Sequence, residues 1–222
     1  MKRFGDTLHD KLVVILGGSS GIGLETARLA HAQGAKLVLV GRDEHKLEVA
    51  LGAIGGSTRM AIFDVADEGA VRAFFEKSGE IDHILLTAGS PFYAPLAQMK
   101  FAEAHRFFDS HIWPAMYVAR YATPHMVSTG SLIFLSGTQD RQPALGLSLV
   151  SIVGHAIETL TENFALELAP IRVNTIACGF VDTPYRLLCL ARVCKHVEKN
   201  WNGHCLFVEW CNQRTWPNLL CT

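Results

Sequence analysis

Leu12-Val13-Val14-Ile15-Leu16-Gly17-Gly18-Ser19-Ser20-Gly21-Ile22-Gly23 decides the fold of this chain. The apolar run Leu12 to Leu16 reads as a buried strand, and Gly17, Gly21 and Gly23 mark a tight turn directly after it. Leu24, Ala27, Leu29 and Ala30 then follow at helical spacing. A strand, a glycine turn and a helix N-terminus in this order let backbone N–H groups and the helix dipole meet a phosphate with no side chain in the way. A glycine-rich loop without a ligand is the plain alternative. The placement of all three parts where the mechanism needs them points instead to dinucleotide binding.

The same rhythm continues outward. Apolar runs at Leu12–Leu16, Lys36–Val40, Arg59–Phe63, His83–Thr87, Ser131–Leu135 and Arg172–Ile176 alternate with helical patterns at about 21–33, 43–52, 67–78, 99–123 and 145–168. Near-continuous apolar strands separated by helices predict an α/β fold: a single Rossmann-type, doubly wound domain with a parallel sheet of about six strands. Pro114 predicts a kink or a split in the fourth helix.

Residues 1–185 read as this dinucleotide-binding domain. Residues 186–222 read as an atypical tail, predicted to be weakly ordered. The tail holds Cys189, Cys194, Cys205, Cys211 and Cys221, whereas Cys178 stands alone before it. No Cys-x-x-Cys pair occurs, and no metal site is predicted.

The chain of 222 residues carries a formal net charge of −1, with no basic cluster, so nucleic acid and anionic membrane are not expected partners. The opening MKRFGDTLHD lacks the apolar core of a signal peptide. No run approaches the roughly 18 apolar residues of a membrane span. A soluble cytoplasmic protein acting on a small molecule is the expectation.

Gly41 and Arg42 follow the second strand. A carboxylate there would accept hydrogen bonds from a ribose 2′-hydroxyl. A guanidinium can instead fork onto a 2′-phosphate, so NADP(H) is predicted over NAD(H).

The Gly-x-x-x-Gly-x-Gly spacing resembles the short-chain dehydrogenase/reductase family. So do Leu86-Thr87-Ala88-Gly89, Arg172-Val173-Asn174 and Gly179-x-x-x-Thr183, and the likeness runs from about residue 10 to about residue 184. Leu16 stands where the family has Thr, Leu86-Thr87 stand where it usually has Asn-Asn, and Cys178 stands where it usually has Pro. The resemblance implies a cofactor set of Gly17, Ser19, Ser20, Gly21, Ile22 and Gly23 at the phosphates. It implies Asp64 and Val65 at the adenine, Ala88 and Gly89 beneath the cofactor, and Gly179, Val181 and Thr183 beside the nicotinamide. For Asp64, the cap of the helix starting near Asp67 is the competing role.

The family's proton-donating Tyr and its Lys partner four residues later fall on Val150 and Gly154. No register restores them, because Tyr occurs only at 93, 117, 121 and 185 and no Lys lies between Lys100 and Lys195. Ser136 adjoins the catalytic Ser position, which falls on Gly137. His111 takes the place of a proton-relaying Asn and can titrate near neutrality. His155 lies about 100° round the helix from the 150/154 face, and Asp140 and Arg141 follow the Ser136 loop.

The leading expectation is an NADP(H)-dependent oxidoreductase using Ser136 and a nonstandard acid such as His111. A non-catalytic NADP(H)-binding sensor or regulatory protein is the alternative. A product that does not fold stably is a third reading, because the family's substrate-covering segment and seventh strand are not found in the sequence. Homo-oligomerisation through the long helices at 99–123 and 145–168 is a further implication of the resemblance.

Overall fold

The computed structural model describes residues 8–56, 58–138 and 144–179, together with the backbone of Val208–Trp210. The elements run β1 (Leu12–Leu16), α1 (Gly21–Ala32), β2 (Lys36–Gly41), α2 (Glu44–Ile54), β3 (Arg59–Ile62) and α3 (Glu68–Phe75). They continue with β4 (Ile81–Leu86), α4 (Phe101–Ala122), β5 (Met126–Gly137), α5 (Ser148–Glu167), β6 (Arg172–Cys178) and β7 (Val208–Trp210). The sheet order is β3-β2-β1-β4-β5-β6-β7, and the first six strands are parallel.

Period-two alternation sorts each strand's side chains onto two faces. Val13, Ile15, Leu37, Leu39 and Leu85 point to one side and pack with Ala27 and Ala30 of α1 and Leu47 and Ala50 of α2. Val14, Leu16, Val40, Ile84, Leu132 and Phe134 face the other side. There they meet Phe75 of α3, Phe107 and Val118 of α4, and Ile157 and Phe164 of α5. Both faces are covered, which is why the strands read as unbroken apolar runs.

Two expectations are corrected. A seventh strand was predicted to be missing, yet β7 pairs antiparallel with β6, matching Ile176 with Trp210, Ala177 with Glu209 and Cys178 with Val208. Three residues joined through main-chain groups need no apolar alternation, so no periodicity marks this strand. Of the kink or split expected at Pro114, the split does not occur: α4 runs unbroken from Phe101 to Ala122 with Pro114 buried inside it. The proline removes one helical donor, but Phe107, Ala115 and Val118 on either side anchor both halves to the same core.

Local chemistry fixes the frame around the site. Asp43 caps α2 by accepting from Lys46 N at 3.0 Å, and Asp67 caps α3 by accepting from Ala70 N at 3.1 Å. Asp82 ties β4 to the start of β1, accepting from Lys11 Nζ at 2.8 Å and Leu12 N at 2.9 Å. Because β1 lies between β2 and β4, the chain reverses its winding there. A crevice opens at the carboxyl ends of β1 and β4, where such sheets bind ligands.

Candidate functional site

The crevice holds a groove of about 610 Å³. One wall is the turn after β1, where Gly17, with φ of 95°, and Gly21, with φ of 56°, take backbone conformations that favour glycine. A Cβ on Gly17 would stand 2.6 Å from Ala88 N, and one on Gly23 would stand 2.3 Å from Gly17 O. The Thr87 hydroxyl, 3.2 Å from both Leu16 O and Gly17 O, fastens this turn to the end of β4. Ser20 does not cap α1 with its side chain, and Gly21, Ile22 and Gly23 of the first turn line the groove. Uncapped amide donors at a helix start are a place for an anion.

Ser19, Arg42, Asp64, Val65, Ala88, Gly89 and Gly179 line the same groove, so most of the expected cofactor set converges there. Val181 and Thr183 lie outside the described residues, as do Asp140 and Arg141. Asp64 is not the helix cap, because Asp67 fills that role. Instead its carboxylate accepts from Ala66 N at 3.0 Å and reaches Arg42 Nη1 at 3.3 Å. Sequence reasoning missed Phe92, Glu103, Arg106 and Ser110, which also line the groove. Glu103, Arg106 and Ser110 lie on α4 with His111, and Phe92 lies in the connection between β4 and α4, so no motif marked them.

A second cavity of about 210 Å³ shares Thr87, Ala88, Gly89, Leu135 and Gly179 with the groove. Ser136, Gly137, His111, Val150 and Gly154 all line it. The positions that resemble the missing Tyr–Lys pair therefore face this cavity and present only an isopropyl group and a bare backbone. His155 does not join them; it is exposed, with Nδ1 3.0 Å from Ser151 O.

The two polar groups have defined partners. Ser136 Oγ donates to Glu158 Oε1 at 2.8 Å. Glu158 was not anticipated, although it lies on α5 at the i+8 position from Val150 and so shares its face. His111 Nδ1 lies 2.7 Å from Phe107 O. A carbonyl only accepts, so Nδ1 carries the proton and Nε2 keeps a lone pair. Nε2 lies on the Gly89 side, 2.4 Å from where a Cβ on Gly89 would stand. Burial holds the His111 pKa below the ordinary imidazole value, against the opposing hydrogen bond to Phe107 O. Cys178 also lines the cavity, and burial pushes its thiol pKa up. It is therefore a poor nucleophile.

The profile of the short chain dehydrogenase family matches residues 11–187. The chain belongs to the short-chain dehydrogenase/reductase family. A short-chain dehydrogenase/reductase of Acremonium sp is 30% identical over 203 residues, covering 82% of this chain and 77% of the relative. An uncharacterized oxidoreductase of Staphylococcus aureus (strain MRSA252) is 30% identical over 185 residues, covering 79% and 80%. Among solved structures, a short chain dehydrogenase/reductase family protein superposes with a TM-score of 0.79 at 29% identity, covering 83% of this chain and 80% of that one. An NAD+-bound xylitol dehydrogenase superposes with a TM-score of 0.74 at 25% identity, covering 78% and 72%.

Short-chain dehydrogenases are oxidoreductases that bind nicotinamide cofactors and act on small molecules. The groove fits such a group: its glycine wall admits no Cβ, and an uncapped helix start opens into it. Among the described residues of this short-chain dehydrogenase, no helix is long and apolar enough to cross a membrane.

Proposed function

We propose that the protein is an NADP(H)-dependent oxidoreductase that interconverts a carbonyl and an alcohol, with Ser136 and His111 replacing the usual Tyr–Lys pair. One observation carries this reading: Ser136 and His111 line a single cavity that shares Thr87, Ala88, Gly89 and Gly179 with the glycine-walled groove. A nicotinamide bound in that groove would supply or accept a hydride. Gly17, Ser19, Gly21 and Gly23 would hold the phosphates, and Asp64 and Val65 would flank the adenine. Ser136 orients the substrate oxygen, and His111 Nε2 handles its proton.

The NADP(H) assignment rests on Gly41 and Arg42. No carboxylate stands at the end of β2, and the Arg42 side chain is exposed at the groove beside Ser19. A guanidinium there can grip a 2′-phosphate with two hydrogen bonds.

Turnover of reactive dicarbonyls, quinones and simple alcohols, with cofactor affinity measured alongside, tests the proposal. NADPH should bind more tightly than NADH, and Arg42→Asp should reverse the order. Ser136→Ala and His111→Ala should lower turnover by about 10²-fold or more, the usual loss for a positioned acid or base, while NADPH affinity holds. Tight NADPH binding with no turnover on any substrate would favour the non-catalytic binding protein. Equal affinities for the two cofactors would refute the NADP(H) assignment.

A further inference from the structure

α5 turns one continuous stripe toward the second cavity: Val150, Val153, Gly154 and Ile157, at spacings of three and four residues. Leu86 of β4 and Phe134 of β5 meet this stripe from the sheet. Leu86, Phe134, Val153 and Ile157 belong to the buried core, and Gly154 is buried with them. None of these six residues lines the glycine-walled groove. The cavity therefore has two ends. One is shared with the groove through Thr87, Ala88, Gly89 and Gly179, and the other reaches inward between α5 and the sheet.

Protein interiors leave few spaces larger than a water molecule. This cavity measures about 210 Å³, more than the roughly 150 Å³ of an apolar cavity that stays dry and takes up benzene. The space follows from the small side chains on α5. Larger groups at 150 and 154 would project into it, whereas Val150 and Gly154 supply an isopropyl group and bare backbone. Losing a Tyr–Lys pair at these positions thus exchanges polar groups for room.

We propose that the inner end is a ring-binding site, which holds an aromatic ring of the substrate against Val150 and Gly154. The reacting carbon then lies toward the end shared with the groove. The proposal rests on the reading of this cavity as the place of reaction. Two features favour a ring over an alkyl chain. A flat ring has few internal rotations to lose, whereas a chain of equal carbon count must freeze several. Phe107, Phe134 and the His111 imidazole also stand in the wall, and Phe107 and His111 already pack with centroids 4.4 Å apart. Such faces and edges favour a further ring.

Two methyl ketones of eight carbons, acetophenone and 2-octanone, test the site by binding alone. Each is added to the full chain with and without saturating NADP+, and the methyl NMR signals of Val150, Val153 and Ile157 are followed. Acetophenone should bind about three- to tenfold more tightly than 2-octanone, the factor that freezing a flexible chain costs. It should shift all three residues' methyls by its ring current, whether or not NADP+ is bound. Val150→Phe fills the inner end, so acetophenone should weaken about tenfold or more while NADP+ affinity holds. Val150→Ala widens the same end and should improve 2-acetylnaphthalene relative to acetophenone. An unchanged ratio there would place the ring elsewhere and overturn the proposal. Equal or tighter binding of 2-octanone, or methyl signals that acetophenone leaves unmoved, would also overturn it and leave the groove assignment standing. Displacement of acetophenone by NADP+ would assign the space to the nicotinamide and overturn the ring site. Acetophenone binding without any binding of NADP+ would instead overturn the cofactor reading and keep the ring site.

Discussion

Gly23 shows how much a missing side chain can carry. A methyl group there would stand 2.3 Å from Gly17 O and 2.7 Å from Thr87 Oγ1. The first is backbone, and the second is held by two carbonyls, so neither can yield cheaply. Gly23→Ala should lower nicotinamide cofactor affinity at least about tenfold and cost about 1–3 kcal/mol of stability, in the range of overpacked sites. Gly52 is the control. It lies inside α2, where an added Cβ meets nothing within 4 Å, so Gly52→Ala should instead stabilise by about 0.5–1 kcal/mol. Isothermal titration with chemical denaturation of both variants reads the contrast, and similar behaviour of the two would contradict the packing described for the turn.

The glycine turn was legible because its constraint is local: a strand, a turn and a helix within a dozen residues. Arg42 and Asp64 were each legible in their own segments, but the ion pair between them was not, since it joins the ends of β2 and β3. Glu158 was invisible for the same reason. Its meaning comes from Ser136, 22 residues away on another element.

At the scale of elements, the sequence placed the five α-helices and six of the seven strands of the described residues, because apolar periodicity survives in a single chain. Strand ends were less legible. β5 begins at Met126 rather than Ser131, since its first residue pairs with Ile81 through main-chain groups that carry no hydrophobic signature. β4 and β1 are joined in a similar hidden way by Asp82, whose side chain is only 16% exposed. Burial raises the Asp82 pKa, but the hydrogen bond from Lys11, that from Leu12 N and the Lys11 charge together outweigh it and hold the pKa below the ordinary value. Asp82→Asn keeps the shape and removes the charge. It should cost about 1–2 kcal/mol, read as a lower urea midpoint with an unchanged slope. An unaltered midpoint would show that β1 and β4 hold without this tie.

For the molecule as a whole, two partly buried imidazoles make stability depend on pH. Burial lowers the His83 pKa, prevailing over the pull of neighbouring Asp82, and lowers that of His111 as well. His83 also keeps a hydrogen bond between its Nδ1 and Ser131 Oγ at 2.8 Å. In both cases the unfolded chain takes up a proton at a higher pH than the folded one. Their contribution is therefore complete above the ordinary imidazole value of about 6.5 and declines as pH falls below it. The melting temperature should drop between pH 7.5 and 5.5, and the double variant His83→Gln, His111→Gln should show a shallower drop. An equally steep decline in that variant would assign the sensitivity to other groups.

The Arg42–Asp64 pair, 3.3 Å apart at the mouth of the groove, bears on the timing of cofactor exchange. Two opposite charges held together act at a distance as a dipole, so the entrance offers little extra long-range attraction to the additional phosphate of one cofactor over the other. On the NADP(H) reading proposed above, discrimination would begin only after contact, when a 2′-phosphate displaces the carboxylate from the guanidinium. Stopped-flow mixing should therefore give similar association rates for NADPH and NADH and place the difference in the rates of departure. Asp64→Asn exposes the bare cation and should make NADPH capture faster at low salt, a gain that 0.5 M sodium chloride should erase through screening. An unaltered protein that already captured NADPH many times faster than NADH would mean that the pair is open in solution.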